Sequence, residues 1–382
     1  MRKKILVLAG HYLPSINAGG PVQSIKNLVD HLNHEYEFYI IALDRDFNSD
    51  TPYSGIKTDK WTTIDNTKVM YIRESYKNII EIKSIINKLQ PDVLYLNSYF
   101  SFKFSILPLL LKKIRYISTP KIIVAPRGNF SEGALNLKRN KKSIFILLSK
   151  SLSLHKNVIW HSTSVVETRD IDKIITYSNK KVFLSPNLTK NYQGIKYKKN
   201  SVKEIGKLKI ISISRIHPKK NLLYLLKVLP DIKGEITLNI FGPIEDEKYW
   251  NSCEKIINEF PSNIKVKYCG IIENEKVVTE FQNHDIFIFP TLGENFGHII
   301  SESLVGGCPV ILSDQTPWNM LEQENAGFNI PLAQKERYES CIQLFVDMDL
   351  EEYKKKSHSA FDLGIRNSTN SSVVNAAINL FK

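Results

Sequence analysis

Two glutamates, Glu294 and Glu302, stand eight positions apart in the last third of the chain. Residues 285–290 form an apolar run typical of a buried strand, and residues 299–304 carry apolar side chains at helical spacing. Glu294 is therefore expected between a strand and a helix, and Glu302 within the helix. Backbone N–H groups of residues 296–299 at such a helix start favour an anion such as a diphosphate. A carboxylate beside it can bind sugar or ribose hydroxyls, although two solvated surface acids explain the spacing equally well.

Two cations, Arg215 and Lys220, lie in the segment SRIHPKKN, directly after the apolar run of residues 208–214. Ligands of open parallel sheets bind where the strands end, so both cations are expected at a ligand. Arginine can bind two phosphate oxygens at once and lysine acts as a point charge, which suits a diphosphate. Gly242 ends another predicted strand at this edge, where it permits close approach of a base or ribose. A basic surface loop and a plain turn are the simpler interpretations of these two segments.

Strand-type and helix-type runs alternate along the whole chain, in two series. The first series opens with a strand at 4–9, a loop containing Gly19 and Gly20, and a helix at 22–32. The loop lacks the G-x-G-x-x-G pattern, so the dinucleotide fingerprint is absent. We predict an α/β protein with two doubly wound Rossmann-like domains facing a cleft. The predicted domains are residues 1–190 and 208–360, joined by a polar linker at 191–207, and a C-terminal helix at 361–382 packs back on the first domain.

The composition is that of a soluble globular protein. The chain has 382 residues, of which 42% are hydrophobic and 24% charged, enough for two domains of ordinary size. Its 4 cysteines form no C-x-x-C pair, which indicates thiols in a reducing compartment. The N-terminal apolar run is too short for a signal peptide, and no run approaches the roughly 18 residues of a membrane span. A cytoplasmic protein is expected.

The net charge of +13 suggests an anionic partner: nucleic acid, an anionic membrane surface or a phosphorylated substrate. A lysine-rich composition without any partner explains the charge as well. Residues 135–156 mix cations with apolar residues such as Ile144 and Leu147. This pattern fits a helix resting on an anionic bilayer, at the inner face of the cell membrane, and equally a core-facing helix with a solvated lysine face. Nucleic acid is disfavoured, because aromatic residues are not interleaved with the basic ones.

Several segments together resemble one known family. GENFGHIISESLVGGCPVILSD resembles the E-x7-E block of the retaining glycosyltransferases of family 4, which have the two-domain GT-B fold. SRIHPKKN is similar to the family's arginine–lysine pair, and AGGPVQSIKNLV to its N-terminal glycine loop. WHSTSVVE, SPN and APRGNFSEGAL also resemble family segments, the last one in bacterial surface-polysaccharide members. The resemblance extends along essentially the whole chain, and the combination is specific although no single segment is.

The resemblance implies roles in binding a nucleotide-sugar donor. Glu302 would hold the ribose hydroxyls, and Glu294 would contact hydroxyls of the donor sugar. The backbone of Phe296 and Gly297 would help to stabilise the diphosphate as it leaves. Gly242 would lie beside the nucleotide.

The other implied roles concern the leaving group and the acceptor side. Arg215 and Lys220 would neutralise the departing diphosphate. The Gly19–Gly20 loop would let the acceptor domain close on the phosphates. Arg127 stands where many family members carry histidine, so a histidine contact to the sugar is replaced by a cation able to bind phosphate. His161 ends a predicted strand on the acceptor side, where a satisfied core histidine is favoured over a catalytic one.

The expected activity is transfer of a sugar, with retained anomeric configuration, from a nucleotide-diphosphate donor to a lipid-linked or saccharide acceptor in O-antigen or capsule synthesis. No metal or other cofactor is expected, because Arg215 and Lys220 supply the positive charge and no suitable DxD motif is present. One alternative is a GT-B enzyme without transferase activity, such as a sugar-nucleotide epimerase. The other is a protein that binds anionic membranes or nucleic acid, which would explain the charge but not the predicted site.

Overall fold

The computed structural model describes residues 2–65, 67–73, 78–118, 121–136, 139–177 and 179–382. The chain divides into two compact units. Unit 1 is Met1–Lys190 together with Ser371–Lys382, and unit 2 is Asn191–Asn370. Each unit contains one largely parallel sheet flanked by helices, so the predicted α/β class with two doubly wound domains is confirmed.

Unit 1 has an eight-stranded sheet in which β1 is central. Its strands are β1 (Lys3–Leu8), β2 (Tyr36–Leu43), β3 (Trp61–Ile64), β4 (Thr67–Ile72), β5 (Val93–Asn97), β6 (Lys121–Ala125), β7 (Val158–Ser162) and β8 (Lys181–Leu184). Their order is β3-β4-β2-β1-β5-β6-β7-β8, and only the edge strand β3 is antiparallel to its neighbour. The central strands are buried on both faces, which explains their continuous apolar runs.

The helices of unit 1 alternate with these strands. They are α1 (Gly20–Leu32), α2 (Asn78–Leu89), α3 (Leu107–Lys113), α4 (Glu132–Asn136), α5 (Arg139–Ser151) and α6 (Val165–Ile174). A π-helical turn, Phe102–Ile106, precedes α3. The helical region predicted at 135–155 contains α5, whereas residues 137–138 within it lie outside the described ranges.

Unit 2 has a six-stranded sheet of entirely parallel strands. The strands are β9 (Lys207–Ile213), β10 (Glu235–Phe241), β11 (Ile264–Tyr268), β12 (Ile286–Phe289), β13 (Val310–Ser313) and β14 (Gly327–Ile330). Their order is β11-β10-β9-β12-β13-β14. The helices are α7 (Leu222–Val228), α8 (Glu247–Ile257), α9 (Asn274–Gln282), α10 (His298–Val305), α11 (Lys335–Asp347) and α12 (Leu350–Ser368).

The segment 191–207, predicted as a linker, packs on unit 2 instead. The Lys199 ammonium donates to the carbonyl oxygens of Phe281 and His284, and the backbone N–H groups of Asn200 and Ser201 donate to Gln282 O. These bonds supply donors to carbonyl groups at and just after the C-terminal end of α9. Lys199 therefore caps α9, and the lysine-rich segment is packed on unit 2 rather than being a solvated linker.

The C-terminal helix predicted at 361–382 is two helices in different units. The first, α12, ends at Ser368 in unit 2, and α13 (Ser371–Phe381) belongs to unit 1. Phe381 is fully buried in unit 1, where its ring contacts Tyr36, Phe38 and Tyr95.

Two short strands, β3 and β14, were not predicted, because their sequences lack the apolar alternation typical of a strand.

Helix α12 packs closely against α10, the helix that carries Glu302, through Gly364. A Cβ atom at Gly364 would lie 2.6 Å from the backbone nitrogen of Val305. Alanine in a helix is normally favoured over glycine by about 1 kcal/mol, but backbone atoms cannot yield to this clash.

We expect Gly364→Ala to destabilise the protein by about 1–3 kcal/mol, the range for an overpacked core. Urea unfolding measures the loss. Gly133→Ala in α4 is the matched control, because nothing lies within 4 Å of a Cβ there. Equal effects of the two substitutions on unfolding would contradict the close packing of α10 and α12.

Candidate active site

The loops after β9 and β12 leave neighbouring strands of unit 2 at the point where the strand order reverses. From β9 the chain proceeds to β10 and β11 on one side, and then to β12, β13 and β14 on the other. Such a switch point opens a crevice at the carboxyl edge of a parallel sheet. Two hydrogen bonds join the loops: Asn221 Nδ2 donates to Pro290 O at 3.0 Å, and Leu292 N donates to Lys219 O at 2.9 Å.

Lys220 and Glu294 form an ion pair across this crevice. Lys220 Nζ lies 2.6 Å from Glu294 Oε2, and the two side chains are only 14% and 22% exposed. The ammonium also lies 5.2 Å from the centre of the Phe289 ring. Burial disfavours the charged carboxylate, but the charge and hydrogen bond of Lys220 outweigh it and lower the pKa of Glu294. The sequence predicted both residues at this edge. It assigned Lys220 to the diphosphate and Glu294 to the donor sugar, and did not predict that they pair with each other.

Arg215 and Lys219 extend the positive patch. Arg215 Nη1 lies 2.6 Å from Glu245 Oε2, a residue after β10 that the sequence analysis did not single out. Partial burial of the amine, and then the neighbouring charges of Lys220 and Arg215, lower the pKa of Lys219. Within the described ranges Lys219 has no carboxylate as an ion-pair partner. The sequence analysis missed Lys219 because its neighbour Lys220 carried the family resemblance.

The start of α10 is fixed by Gly297 and its neighbours. Gly297 has a left-handed φ of 77°, and a Cβ there would lie 2.6 Å from Ile300 Cδ1 and 3.1 Å from Glu294 Cγ. Trp318 Nε1 donates to Phe296 O at 2.6 Å. The backbone that was predicted to face a diphosphate is thus held in one conformation, and a side chain at position 297 would be strained.

Glu302 lies in the second turn of α10 and is partly exposed. Burial, and then the Glu302 charge, raise the pKa of Tyr192, which places the carboxylate near the first residues of unit 2. Glu294 N donates to Gln315 O at 2.9 Å, which ties its loop to the loop after β13. The two glutamates therefore occupy the strand-end and helix positions that their spacing predicted, and their ligand roles stay predictions.

Gly242 is explained by packing within the protein. It has a φ of 130°, and a Cβ there would lie 1.9 Å from Ser214 O. Only glycine lets the loops after β9 and β10 approach this closely. A contact between Gly242 and a ligand stays a prediction.

The glycine loop of unit 1 follows β1. Gly19 has a φ of 59° and precedes α1, which starts at Gly20, and nothing lies within 4 Å of a Cβ at either position. The Asp46 carboxylate accepts hydrogen bonds from Ser15 Oγ and from the N–H of Ile16. Burial disfavours the Asp46 charge, but these and further backbone bonds lower its pKa. The loop is therefore anchored from the end of β2, with open space beside its glycines.

Arg127 follows β6 at the carboxyl edge of unit 1's sheet and has a left-handed φ of 55°. Its Nε donates to Asn97 Oδ1 at 2.9 Å and its Nη2 donates to the Tyr95 hydroxyl at 2.9 Å. Its Nη1 donates to Asn187 Oδ1. The sequence analysis singled out Arg127 but not these three partners, because they come from segments far apart in the chain.

His161 is a buried, neutral histidine within this network. Its ring lies 2.8 Å from both the Tyr95 hydroxyl, at Nδ1, and Ser185 O, at Nε2. Burial, and then the charge of Arg127, lower the pKa of His161 to about 3. Nε2 must therefore donate to the carbonyl, and Nδ1 accepts from Tyr95. His161 contacts Arg127 only through Tyr95, which fits the expected satisfied core histidine.

Neither a membrane-spanning helix nor a metal-type cluster is found in the ranges that the structure describes. No helix there combines the length and the apolar character needed to cross a bilayer. No cluster of three or more His, Cys, Asp or Glu side chains there is arranged as a metal site.

Solved structures share this architecture over the whole chain. Sucrose-phosphate synthase from Thermosynechococcus elongatus superimposes with a TM-score of 0.74 at 14% identity, covering 100% of this chain and 98% of that one. HepE from Anabaena, solved with UDP and glucose, gives a TM-score of 0.70 at 12% identity and covers 99% of both chains. The fold is that of the GT-B glycosyltransferases.

Sequence comparison is more specific for unit 2. Residues 194–359, which lie within unit 2, match the family described as "Glycosyl transferases group 1". The chain is also 24% identical over 370 residues to an uncharacterized 41.2 kDa protein in the cps region of Klebsiella pneumoniae. That similarity covers 95% of this chain and 96% of the relative.

We expect the Lys220–Glu294 pair to contribute to stability at neutral pH. A double-mutant cycle with Lys220→Met and Glu294→Gln, followed by urea unfolding, should give a coupling free energy of about 1–3 kcal/mol. The folded-state pKa of Glu294 is lowered, so the coupling should be present above its ordinary pKa and vanish as pH falls through the lowered one.

The exposed pair Arg337–Glu322, at 43% exposure of each side chain, is the control. Its coupling should stay within about 0–1 kcal/mol, as for surface pairs generally. A coupling for Lys220–Glu294 no larger than this would contradict a buried ion pair in the crevice.

Proposed function

We propose that the protein is a retaining glycosyltransferase that moves a sugar from a nucleoside-diphosphate donor to an acceptor. One observation carries the proposal. At the switch point of unit 2, Lys220 and Glu294 meet at 2.6 Å beside Arg215 and Lys219. The group 1 glycosyl transferase match over residues 194–359 supports it, as does the complex of the similar protein HepE with UDP and glucose.

The cations suit the chemistry of the leaving group. Breaking the bond between sugar and diphosphate places growing negative charge on the phosphate oxygens. Arg215, Lys219 and Lys220 offer fixed positive charge there, and the start of α10 offers backbone N–H groups. A well-placed donor of this kind contributes roughly 3–4 kcal/mol to transition-state stabilisation, by analogy with oxyanion holes. The proposed reaction therefore uses no metal ion.

The Lys220–Glu294 pair also suggests how the site is kept ready without donor. Each group holds the other in place and partly buried. When a donor binds, Lys220 turns to a phosphate oxygen, and Glu294 accepts hydrogen bonds from the sugar hydroxyls. Glu302, in the second turn of α10, holds the ribose hydroxyls. Neither charge is left without a partner in either state, which limits the desolvation penalty.

We expect Glu302→Ala and Lys220→Met to lose donor binding. UDP-, GDP- and ADP-sugars are screened by differential scanning fluorimetry. The sugar that is the donor should raise the wild-type melting temperature, since a donor at 100 times its Kd stabilises the fold by about 2.7 kcal/mol. Both variants should lack this shift and lose transfer by about 100-fold or more. Glu259→Ala, at an exposed position after α8, is the control.

The transfer assay is run with and without EDTA, and with donor alone. Equal rates in EDTA are expected, and a loss restored by Mn²⁺ would refute a metal-free reaction. Wild-type turnover in both variants would refute the site. An epimer formed from donor alone would favour a sugar-nucleotide epimerase instead.

We also propose that the acceptor belongs to surface polysaccharide synthesis, as a lipid-linked or saccharide acceptor at the inner face of the cell membrane. The Klebsiella pneumoniae relative lies in a cps region. Another similar structure is a lipopolysaccharide outer core galactosyltransferase, with a TM-score of 0.62 at 13% identity, covering 99% of both chains. Helix α5 supports peripheral membrane binding, because Ile144, Leu147 and Leu148 are 59%, 69% and 53% exposed. Arg139 and Lys141 are exposed on the same helix, so an anionic bilayer fits it.

We expect Leu147→Ser/Leu148→Ser to weaken binding to vesicles containing phosphatidylglycerol. Each lost leucine removes up to about 1.5–3 kcal/mol of burial in the bilayer, so the apparent affinity should fall by about tenfold or more. Co-sedimentation measures it. Val165→Ser/Val166→Ser is the matched control, at 55% and 64% exposure on α6. Equal losses in both pairs, or no wild-type binding, would rule out α5 as the docking helix.

A further inference from the structure

The Arg127 guanidinium carries a charge that no carboxylate in the described ranges neutralises. Its three acceptors, the side chains of Asn97, Asn187 and Tyr95, are all uncharged. By contrast, four other arginines pair with acids: Arg45, Arg215, Arg337 and Arg366. Arg127 is nevertheless partly buried. A partly buried cation of this kind is stabilised when a ligand supplies the missing negative charge.

A buried carboxylate, Glu167, contacts this loop without pairing with Arg127. Glu167 is 4% exposed and accepts from Gly128 N at 2.6 Å and from Thr163 N at 2.8 Å. It also accepts from Thr163 Oγ1 at 2.7 Å. These bonds tie the loop after β6 to the loop after β7. Glu167 therefore fixes the backbone next to Arg127 without pairing with its guanidinium.

The hydrogen-bond count leaves donors for a ligand. A guanidinium has five N–H donors, and the bonds to Asn97, Asn187 and Tyr95 use one each on Nε, Nη1 and Nη2. One N–H therefore remains on each terminal nitrogen. Two neighbouring donors on one planar group match the two oxygens of a phosphate or carboxylate.

The network around Arg127 sets the orientation of the guanidinium before a ligand arrives. His161 is neutral and accepts from the Tyr95 hydroxyl, so the lone pair of that oxygen faces Arg127. Asn97 ends β5 and Asn187 follows β8, so strand ends from across the sheet hold one side chain. Arg127 adopts a left-handed φ of 55°, an uncommon conformation for a residue with a long side chain.

We propose that Arg127 binds an oxyanion of the acceptor, either a phosphate or a carboxylate. That the anion belongs to an acceptor rests on the proposed glycosyltransferase function. The anion site itself rests only on unit 1. Its position fits, because ligands of open α/β sheets bind at the carboxyl ends of the strands. A neutral sugar would leave the Arg127 charge without a partner.

The test neutralises Arg127 in place. Asn187→Asp keeps the shape of the side chain and its bond to Nη1 but adds a carboxylate beside the guanidinium. Asn129→Asp is the matched control, because Asn129 Oδ1 accepts from Ser98 Oγ and Tyr99 N in the same loop region and not from Arg127. The melting temperature of Asn187→Asp should equal or exceed that of the wild type, since an ion pair is gained.

Isothermal titration calorimetry of the full chain then compares glucose 1-phosphate, methyl glucuronide and methyl glucoside. The cation patch of unit 2 is the same in every variant, so differences between variants report on Arg127. We expect Asn187→Asp to bind an acidic probe roughly 10- to 100-fold more weakly than wild type, the range for a lost charged hydrogen bond. Asn129→Asp should lose less than about threefold, since its added charge makes no hydrogen bond to Arg127.

A response to the phosphate probe alone supports a phosphorylated acceptor such as a lipid-linked one, and a response to the glucuronide alone supports an acidic saccharide. Equal binding of methyl glucoside and both acids to wild type would overturn the proposal, as would unchanged binding of acids by Asn187→Asp. The shift in melting temperature with UDP-, GDP- or ADP-sugars separates the two proposals. If wild type lacks this shift but Asn187→Asp loses the acidic probe, the transferase function fails and the anion site stands.

Discussion

The ion pair between Lys220 and Glu294 is the contact on which the candidate site depends. It joins residues 74 positions apart, on loops that leave the adjacent strands β9 and β12. Because both side chains are largely buried, each needs the other's charge, and the loops are held at one separation. Gly297 lies at the end of the same loop and sets the direction in which α10, the helix that carries Glu302, begins. A cation patch, two carboxylates and a helix start thus share one sheet edge.

In unit 1 a cation is held in place by neutral groups instead. Arg127 is oriented by two amides and a phenol, and the neutral His161 continues that network to a backbone carbonyl. In unit 2 the cations Arg215 and Lys220 are balanced by acids within the protein, whereas in unit 1 the charge of Arg127 is not. The difference suits different ligands. In the proposed function, the balanced patch would exchange partners when a highly charged diphosphate binds. In the proposed anion site, the unbalanced guanidinium would select a single acidic group.

The sequence predicted the elements well where the apolar pattern was long. The apolar runs predicted at 4–9 and 208–214 are the central strands β1 and β9, and the helix predicted at 22–32 is α1. It failed where short strands carry few apolar residues, as in β3 and β14, and where polarity suggested solvent. The lysines of 191–207 look like a linker, but Lys199 caps α9, because a buried ammonium can be satisfied by carbonyl oxygens.

The sequence by itself determined that Glu294 precedes a helix and Glu302 lies within it, since eight positions and an apolar period are local properties. It also placed Arg215 and Lys220 directly after a strand. Only the tertiary structure decided that Lys220 meets Glu294, that Arg215 meets Glu245, and that Lys219 joins their patch. Those contacts follow from strand order, because residues far apart in the chain become neighbours only when their strands are adjacent. The neutral shell of Arg127 has the same origin, with partners drawn from β5 and from the segment after β8.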